Sequence, residues 1–487
     1  MPELANHFIN GRAEPSQSQK TFASIDPSTG MELAQVAYGD VNDVERAVSA
    51  AAQTFNDGTW RHMPPPERGC RLRRVADLLR ERADVLGALE SSDTGKPLRV
   101  ATDEVEVAAT LMEYAGALAE QVRGVVYSDV PGSFIHSRRE PYGVVGAIAP
   151  WNFPLVLAAW KTAPALAVGN SVVLKMAEQT PLTTSVFAQL CAEAGIPAGA
   201  LNVVHGDGAT GAALVADPRV EKITFTGSTE TGRAILREAA GRVKSVHLEL
   251  GGKSPNIVFA DADLDRALEG TLFTAFANSG QICTAGTRLL LEAPIADEFL
   301  ERLCARAEAL IVGLPQRGAT QLGPLISSEQ RQRVERYVSL GREEGATLLS
   351  GGGRPLASEL AGGFFVQPTI LADVTMDMRI AREEIFGPVL AVTRFEGDDE
   401  AVRLANDSDY GLAATVWTSR LDRAMAMVDR LEAGIVWTNC PHRLAWQVPY
   451  EGHKQSGLGE DLGNEAIGTY THLKVSYMQF AGDPASL

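Results

Sequence analysis

Cys283 lies in Ser279-Gly280-Gln281-Ile282-Cys283-Thr284-Ala285-Gly286-Thr287-Arg288, a run of small and polar residues. Upstream, Glu249 sits in Leu248-Glu249-Leu250-Gly251-Gly252-Lys253. A thiol that bonds to an electrophilic carbon needs a loop position, small neighbours and nearby hydrogen-bond donors. It also needs a group that clears the adduct, and a carboxylate able to activate water supplies one. The remaining cysteines are Cys70, Cys191, Cys304 and Cys440. The odd total, with no CxxC or Cys/His cluster, argues against a disulfide framework or a zinc site. Cys70, Cys191 and Cys304 fall in helix-like, partly apolar stretches and read as small buried hydrophobes.

More motifs share the chain with this pair. They are Pro150-Trp151-Asn152-Phe153-Pro154, Lys175 to Thr180, Phe225 to Glu230 and Glu384-Ile385-Phe386-Gly387-Pro388. Together with Glu249 to Lys253 and Gln281 to Arg288, in this order and spacing, they resemble the NAD(P)-dependent aldehyde dehydrogenase superfamily, in its hydrolytic, non-acylating branch. The resemblance covers nearly the whole chain. It implies an α/β fold: a Rossmann-type parallel-sheet cofactor domain (1–122 and 141–251), an α/β catalytic domain (252–455) and small β oligomerisation strands (123–140 and 468–487).

Bulk properties agree with such a protein. At 487 residues the chain is too long for one ordinary core. No apolar run is long enough to span a bilayer. Met1 to Gly11 lack a basic segment followed by an apolar one, so the expected location is the cytoplasm. The net charge of −17 argues against nucleic acid as a partner. It does not exclude a dinucleotide, since helix N-termini bind phosphate inside acidic proteins.

Apolar spacing predicts a helix over Asp40–Phe55 with Asp40 as its cap, then helices over Arg68–Glu90 and Thr102–Gln121, separated by Gly95-Lys96-Pro97. From Gly143 the pattern alternates. Strands are expected at 144–148, 171–175, 201–204, 222–225 and 245–250, with helices between them. Such alternation implies a parallel sheet covered on both faces. Its ligands bind beyond the carboxyl ends of the strands, where Lys175, Thr226-Gly227-Ser228 and Glu249 fall. A second strand–helix set runs from about Ile257 to Trp437. Val125–Arg139 and Tyr470–Phe480 alternate like strands with edges that need covering. In the family such segments pair across subunits, which implies a homodimer or homotetramer.

The GxGxxG fingerprint is absent, and Gly206-Asp207-Gly208 followed by Gly211 matches it only loosely. The turn Thr226-Gly227-Ser228 joins a strand to a helix and suits either pyrophosphate or a simple helix cap. The resemblance implies pyrophosphate there and ribose at Lys175 and Glu178. A carboxylate at Glu178 accepts from ribose hydroxyls and repels a 2′-phosphate, so NAD is preferred to NADP. The family pattern also implies that Glu384 holds the nicotinamide ribose and Phe386 packs near the ring, with Ile148, Trp151 and Leu250 as secondary contacts.

The implied chemistry starts with attack of the Cys283 thiolate on an aldehyde carbon. The Asn152 amide and the Cys283 backbone amide are the candidate oxyanion donors. Asn152 can equally make the turn between Trp151 and Pro154. Hydride leaves for the nicotinamide, and Glu249 activates water to hydrolyse the thioester. No metal is required. Lys161 matches a family lysine that relays protons with a glutamate, and Asp461 stands one methylene shorter where that glutamate is usual. Glu460 stands where arginine is common, and Glu451 where glycine is usual. The resemblance places Phe153, Val156, Leu157, Trp160, Phe276, Ala277, Ile282, Thr284, Leu444 and Tyr450 around the substrate tunnel. That apolar wall suits a medium-sized hydrophobic or aromatic aldehyde. The alternative is an amino- or carboxy-semialdehyde. Trp160 and Tyr450 offer part of a cage for a quaternary ammonium, as in betaine-aldehyde enzymes. Arg443 offers either a carboxylate partner or a surface charge, and Cys440 reads as structural.

Overall fold

The computed structural model describes residues 4–479. The first sheet has eight strands, in the order Gly457–Leu458, Ser245–Glu249, Val220–Thr226, Val144–Ala149, Ser171–Met176, Leu201–Val203, His7–Ile9 and Arg12–Glu14. The strands from Ser245–Glu249 through Leu201–Val203 run parallel. The chain enters at the central strand Val144–Ala149, moves outward to one side, then crosses back to Val220–Thr226 on the other. A crevice opens at that switch. Register aligns Ile148 with both Lys175 and Phe225, and Thr226 with Glu249, so these residues crowd one end of the sheet.

The second sheet has seven strands, in the order Thr347–Ser350, Thr369–Ala372, Val389–Phe395, Arg288–Glu292, Pro255–Val258, Ala413–Trp417 and Ile435–Thr438. All its pairings are parallel except that of Thr347–Ser350. Both sheets read as continuous apolar strands because helices cover both of their faces.

The first helix spans Val41–Asp57. Asp40 caps it by accepting from Asn42 N and Asp43 N, and Gly58 at φ 76° ends it. The helix expected over Arg68–Glu90 is two, Pro65–Glu81 and Ala83–Thr94. Arg82 leaves helical geometry between them (φ −118°, ψ 20°), while apolar residues continue on either side. Both halves pack on the helix Leu98–Leu118, so periodicity alone hides the break.

Val125–Arg139 is likewise two strands, Val125–Tyr127 and Ser133–Pro141. The latter pairs antiparallel with Thr471–Gln479 of the same chain. These segments therefore cover each other, and the three-stranded sheet still exposes Val126, Phe134, Leu473, Val475 and Tyr477. Residue 480 of the expected last strand, and the rest of 481–487, lie outside the described residues, as do residues 1–3. Among the cysteines, Cys191 is buried as expected, Cys304 is half-buried, and Cys70 is exposed. Cys70 sits on the outer face of its helix, beside the Arg73 guanidinium. No described helix is long and apolar enough to cross a membrane.

Candidate active site

The site forms where the carboxyl ends of the first sheet meet the amino ends of the second. Glu249 closes the strand Ser245–Glu249, and only Leu250–Ser254 separate it from the strand Pro255–Val258. Cys283 lies in the loop between the helix Leu264–Phe276 and the strand Arg288–Glu292. Glu384–Pro388 precede the strand Val389–Phe395.

The motif glycines bring these segments together. A Cβ on Gly252 would stand 2.3 Å from the Cys283 carbonyl oxygen. One on Gly251 would stand 2.5 Å from Glu384 Oε2, and one on Gly280 2.2 Å from the Gly387 carbonyl oxygen. No side chain fits against the carbonyls at Gly252 and Gly280, so glycine there is a condition of assembly, whereas at Gly251 the Glu384 carboxylate would have to move.

The loop that carries Cys283 is tied from several sides. Asn152 Nδ2 donates to the Gln281 carbonyl (3.0 Å), and Asn278 Nδ2 to the Asn152 carbonyl (3.2 Å). Gln281 Oε1 accepts from Ile326 N at 2.9 Å. Asn278 and Ser279 both hold left-handed backbone (φ 50° and 54°), an uncommon state that these ties maintain. Asn152 is thus a loop tie as well as a candidate donor. Cys283 Sγ lies 3.9 Å from Tyr450 Oη. Burial first, then the Glu249 and Glu384 carboxylates, pushes the Cys283 thiol up to about 12.

Glu249 is 5% exposed. Burial raises its carboxyl well above the ordinary range, Asp461 and Glu451 add to the shift, and Lys161 opposes it. Lys161 Nζ lies 2.6 Å from Asp461 Oδ2, which also accepts from Trp160 Nε1 at 2.8 Å. The shorter aspartate therefore reaches the lysine. Burial alone would raise the Asp461 carboxyl, but His247, Lys161 and Trp160 together hold it below its usual range.

The candidate cofactor residues line the switch crevice. Ser228 caps the helix Thr229–Ala240, accepting from Thr231 N at 3.2 Å. Gly227 N donates to the Glu249 carbonyl (3.0 Å), linking the turn Thr226-Gly227-Ser228 to the strand that ends at Glu249. Thr226 Oγ1 is buried without a partner, and nothing lies within 4 Å of a Cβ built on Gly208. Asp207 and Ser228 cap the two helices that start here, so the unpaired Thr226 hydroxyl is the group left for a pyrophosphate to meet. Lys175 Nζ lies 3.3 Å from Glu178 Oε2, with burial lowering the lysine pKa. Trp151 meets Phe386 edge-on, with ring centroids 5.2 Å apart. Glu384 Oε1 accepts from Gly252 N (3.0 Å), and burial pushes its carboxyl up to about 7. Ile148 and Leu250 are buried in the apolar cluster under the crevice.

The tunnel set divides. Trp160, Val156 and Tyr450 share one apolar cluster with half-buried Phe153, Leu157, Cys283 and Trp446. Ala277 and Ile282 are half-buried and Thr284 is buried, all close to Cys283 along the chain. Phe276 does not belong to this wall: it is buried in the core under the second sheet. Leu444 is 44% exposed, and Arg443 is exposed beside it. The loop 441–448 is anchored by Trp446 and His442, which leaves those two outside.

Three supporting residues, Gln330, Arg333 and His247, escaped sequence reasoning, and a fourth, Trp446, stood out only as unusual in its loop. Gln330 Nε2 donates to the Phe386 carbonyl (2.7 Å), and Arg333 Nη2 to the Glu384 carbonyl (2.6 Å). Both sit on the helix Ser328–Glu343 and carry no local signal. Trp446 packs edge-on against Trp160 at 5.8 Å. His247 precedes Glu249 by two residues on a strand, so period-two alternation puts both on one face; that signal was available.

A family model described as the aldehyde dehydrogenase family matches residues 14–476. The chain belongs to the aldehyde dehydrogenase family. It is 44% identical over 472 residues to a betaine aldehyde dehydrogenase of Bacillus subtilis (strain 168), covering 96% of each chain. Its fold matches the crystal structure of betaine aldehyde dehydrogenase from Staphylococcus aureus in complex with NAD+ at a TM-score of 0.97. There the identity is 37%, with 99% of this chain and 96% of that chain covered. The α/β architecture expected from the motifs is thus the aldehyde dehydrogenase fold.

Proposed function

We propose that this aldehyde dehydrogenase oxidises an aldehyde with a cationic, quaternary-ammonium head, of the betaine-aldehyde type, to its carboxylic acid with NAD+. One observation carries the choice of substrate. Trp446, Trp160 and Tyr450 form an edge-to-face series (5.8 and 5.4 Å) ending 3.9 Å from Cys283 Sγ, in a negative field. Burial makes Glu249 and Glu384 reluctant to ionise, so the field comes chiefly from Glu451, whose charge adds to the rise of Glu249. Lys161, the nearby cation, is already paired with Asp461. Aromatic faces and unpaired carboxylates attract a quaternary ammonium and repel an anion. The curated relative of B. subtilis has this activity by name.

Within this reading, residues 4–122 with 141–251 hold the cofactor and 252–455 carry the thiol. Bound NAD+ supplies the hydride acceptor. Cys283 attacks the carbonyl carbon, and Asn152 Nδ2 with the Cys283 N–H receives the oxyanion. Glu249 takes a proton from water as that water attacks the thioester. The Lys161–Asp461 pair, 2.6 Å apart, holds the charge behind Glu249.

The deciding experiment compares betaine aldehyde with its neutral isostere 3,3-dimethylbutanal, and both with succinate semialdehyde, by kcat/KM. Betaine aldehyde is expected to lead the isostere by about tenfold, one desolvated cation–π contact being worth about 1–2 kcal/mol. Equal values would return the tunnel to the plain hydrophobic reading that Phe153, Leu157 and Val156 also support. A preference for the semialdehyde would overturn both.

A further inference from the structure

The wiring behind Glu249 contains a group that neither the nucleophile nor the Lys161–Asp461 pair accounts for. His247 is fully buried, and its imidazole stands between the base and the pair. Nε2 faces Glu249 Oε1 at 3.6 Å. Nδ1 lies 3.2 Å from Thr224 Oγ1, 3.5 Å from Lys161 Nζ and 3.6 Å from Asp461 Oδ1. Glu249 Oε1, His247 Nε2 and Asp461 Oδ1 are all buried and without hydrogen-bond partners. Two of these atoms, Glu249 Oε1 and His247 Nε2, face each other, and the third faces the far side of the same ring; three such unpaired atoms around one imidazole are costly unless they exchange something.

We propose that His247 carries the proton between Glu249 and the Lys161–Asp461 pair. During hydrolysis water adds to the thioester carbon, the C–S bond breaks, and Glu249 takes the water proton. In concert, Nε2 takes that proton from Glu249 while Nδ1 gives its own to Asp461 Oδ1, an uphill and readily reversed step because burial raises Glu249 and Lys161 helps to hold Asp461 low. A neutral imidazole has one donor and one acceptor nitrogen, so it accepts on one side as it releases on the other.

The groups facing the imidazole are Glu249 on its own strand, Lys161 on the helix Pro154–Ala167, and Asp461 on the strand Glu460–Leu462. Lys222 and Thr224 face it from the neighbouring strand, with Tyr470 behind Thr224. Burial, outweighing the other influences, lowers His247 to about 3, so the ring is neutral at working pH and able to relay. The ligand atoms of His247, Glu249 and Asp461 also lie within 4.8 Å of one another, as in a cation site. The Lys161 ammonium already occupies that role at 2.6 Å from Asp461.

The inference rests on Cys283 as nucleophile and Glu249 as base, and a cofactor-free assay separates the two ideas. 4-Nitrophenyl acetate acylates Cys283 and releases 4-nitrophenolate in a burst. The steady rate that follows reports hydrolysis of the acetyl thioester. His247→Gln and His247→Asn are expected to keep the burst and the thermal midpoint. They should slow the steady rate about tenfold or more, within the range of proton-transfer catalysis, and flatten its rise with pH. An unchanged steady rate and pH profile in both variants overturns the relay. A burst that survives Cys283→Ser overturns the nucleophile assignment instead. If the variants fail to fold, a proton inventory of hydrolysis by the unaltered enzyme decides: a bowed plot is expected from two protons in flight, and a straight line overturns the relay.

Discussion

The two parallel sheets offer opposite ends to one site. The first presents carboxyl ends: Ala149 leading to Asn152, Lys175, Thr226 and Glu249. The second presents amino ends: Gly251–Ser254 before one strand, Cys283 before the next and Glu384–Pro388 before a third. Carboxyl ends lead into helix N-termini, which suit phosphate without unusual backbone. Amino ends receive chain from elsewhere and must turn it sharply. The left-handed residues sit there accordingly: Asn278, Ser279, Gly280 and Phe386. None of Thr226, Gly227, Ser228 or Glu249 on the first sheet is left-handed. Relaxed backbone therefore carries Lys175, Thr226 and Glu249, whereas Cys283 and the candidate cofactor contact Phe386 sit on or beside left-handed backbone held by ties.

If that division is real, the largest effect comes from the second sheet and leaves binding alone. Cys283→Ser should reduce kcat by at least about a thousandfold, as losses of nucleophiles do. Titration of NAD+ by quenching of protein fluorescence should give an unchanged Kd. A weakened Kd would break the division. Glu249→Gln probes the junction between the sheets. It should keep a rapid burst of NADH and slow thioester hydrolysis by about a hundredfold or more. In the unaltered enzyme that hydrolysis should rise with pH through a point well above the usual glutamate range, because burial favours the protonated acid. A profile flat from pH 5 upward would contradict the burial argument.

Much of this was legible from residues. Apolar alternation placed the five parallel strands of the first sheet to within a few residues but not its short edge strands His7–Ile9, Arg12–Glu14 and Gly457–Leu458, and the carboxyl-end rule put Lys175, Thr226 and Glu249 together. The second sheet's contribution was visible only through motif resemblance, since no pattern rule assigns chemistry to amino ends. What stayed hidden was set by packing. Gln330 and Arg333 act by donating to carbonyls across space. The break at Arg82 interrupts no apolar period. Phe276 and Ala277 adjoin along the chain, yet the helix Leu264–Phe276 ends between them (Ala277 ψ 142°), which leaves one in a core and the other half-buried outside it.

Gly280→Ala tests the tied backbone directly. Its φ of 73° disfavours any Cβ, and the Gly387 carbonyl would lie 2.2 Å away. The substitution should cost about 1–3 kcal/mol of stability and displace Cys283, lowering kcat. The matching change on the first sheet is Gly208→Ala, where φ is ordinary and the space open. It should leave thermal unfolding nearly unmoved. Equal losses at both positions would remove the distinction between relaxed and tied ends.

A smaller effect should separate binding from chemistry in the other direction. Glu178→Gln removes a charge that faces solvent and Lys175 on the first sheet. The KM for NAD+ should rise about tenfold while kcat holds, since a charged hydrogen bond to a ribose hydroxyl is worth about 1.5–3 kcal/mol before solvent competition. The same change should narrow the gap between NAD+ and NADP+. A fall in kcat with KM unchanged would assign Glu178 to the reacting end.

The smallest effect concerns acid. His7, His205 and His247 belong to the first sheet or its margins, and burial lowers them to about 4, 3 and 3. Among the described histidines that burial lowers, His442 is the one near the second sheet, brought down to about 4. A histidine whose folded pKa is depressed contributes stability that is present above its unfolded value of 6.5 and is lost as pH falls toward the folded value. Acidification from pH 6.5 toward 4 should therefore loosen the first sheet before the second. Amide hydrogen exchange across that window should show protection falling first in Val144–Ala149, Ser171–Met176 and Ser245–Glu249, ahead of Pro255–Val258 and Arg288–Glu292. Uniform loss would mean that the sheets, although they divide the chemistry, unfold as a single cooperative unit.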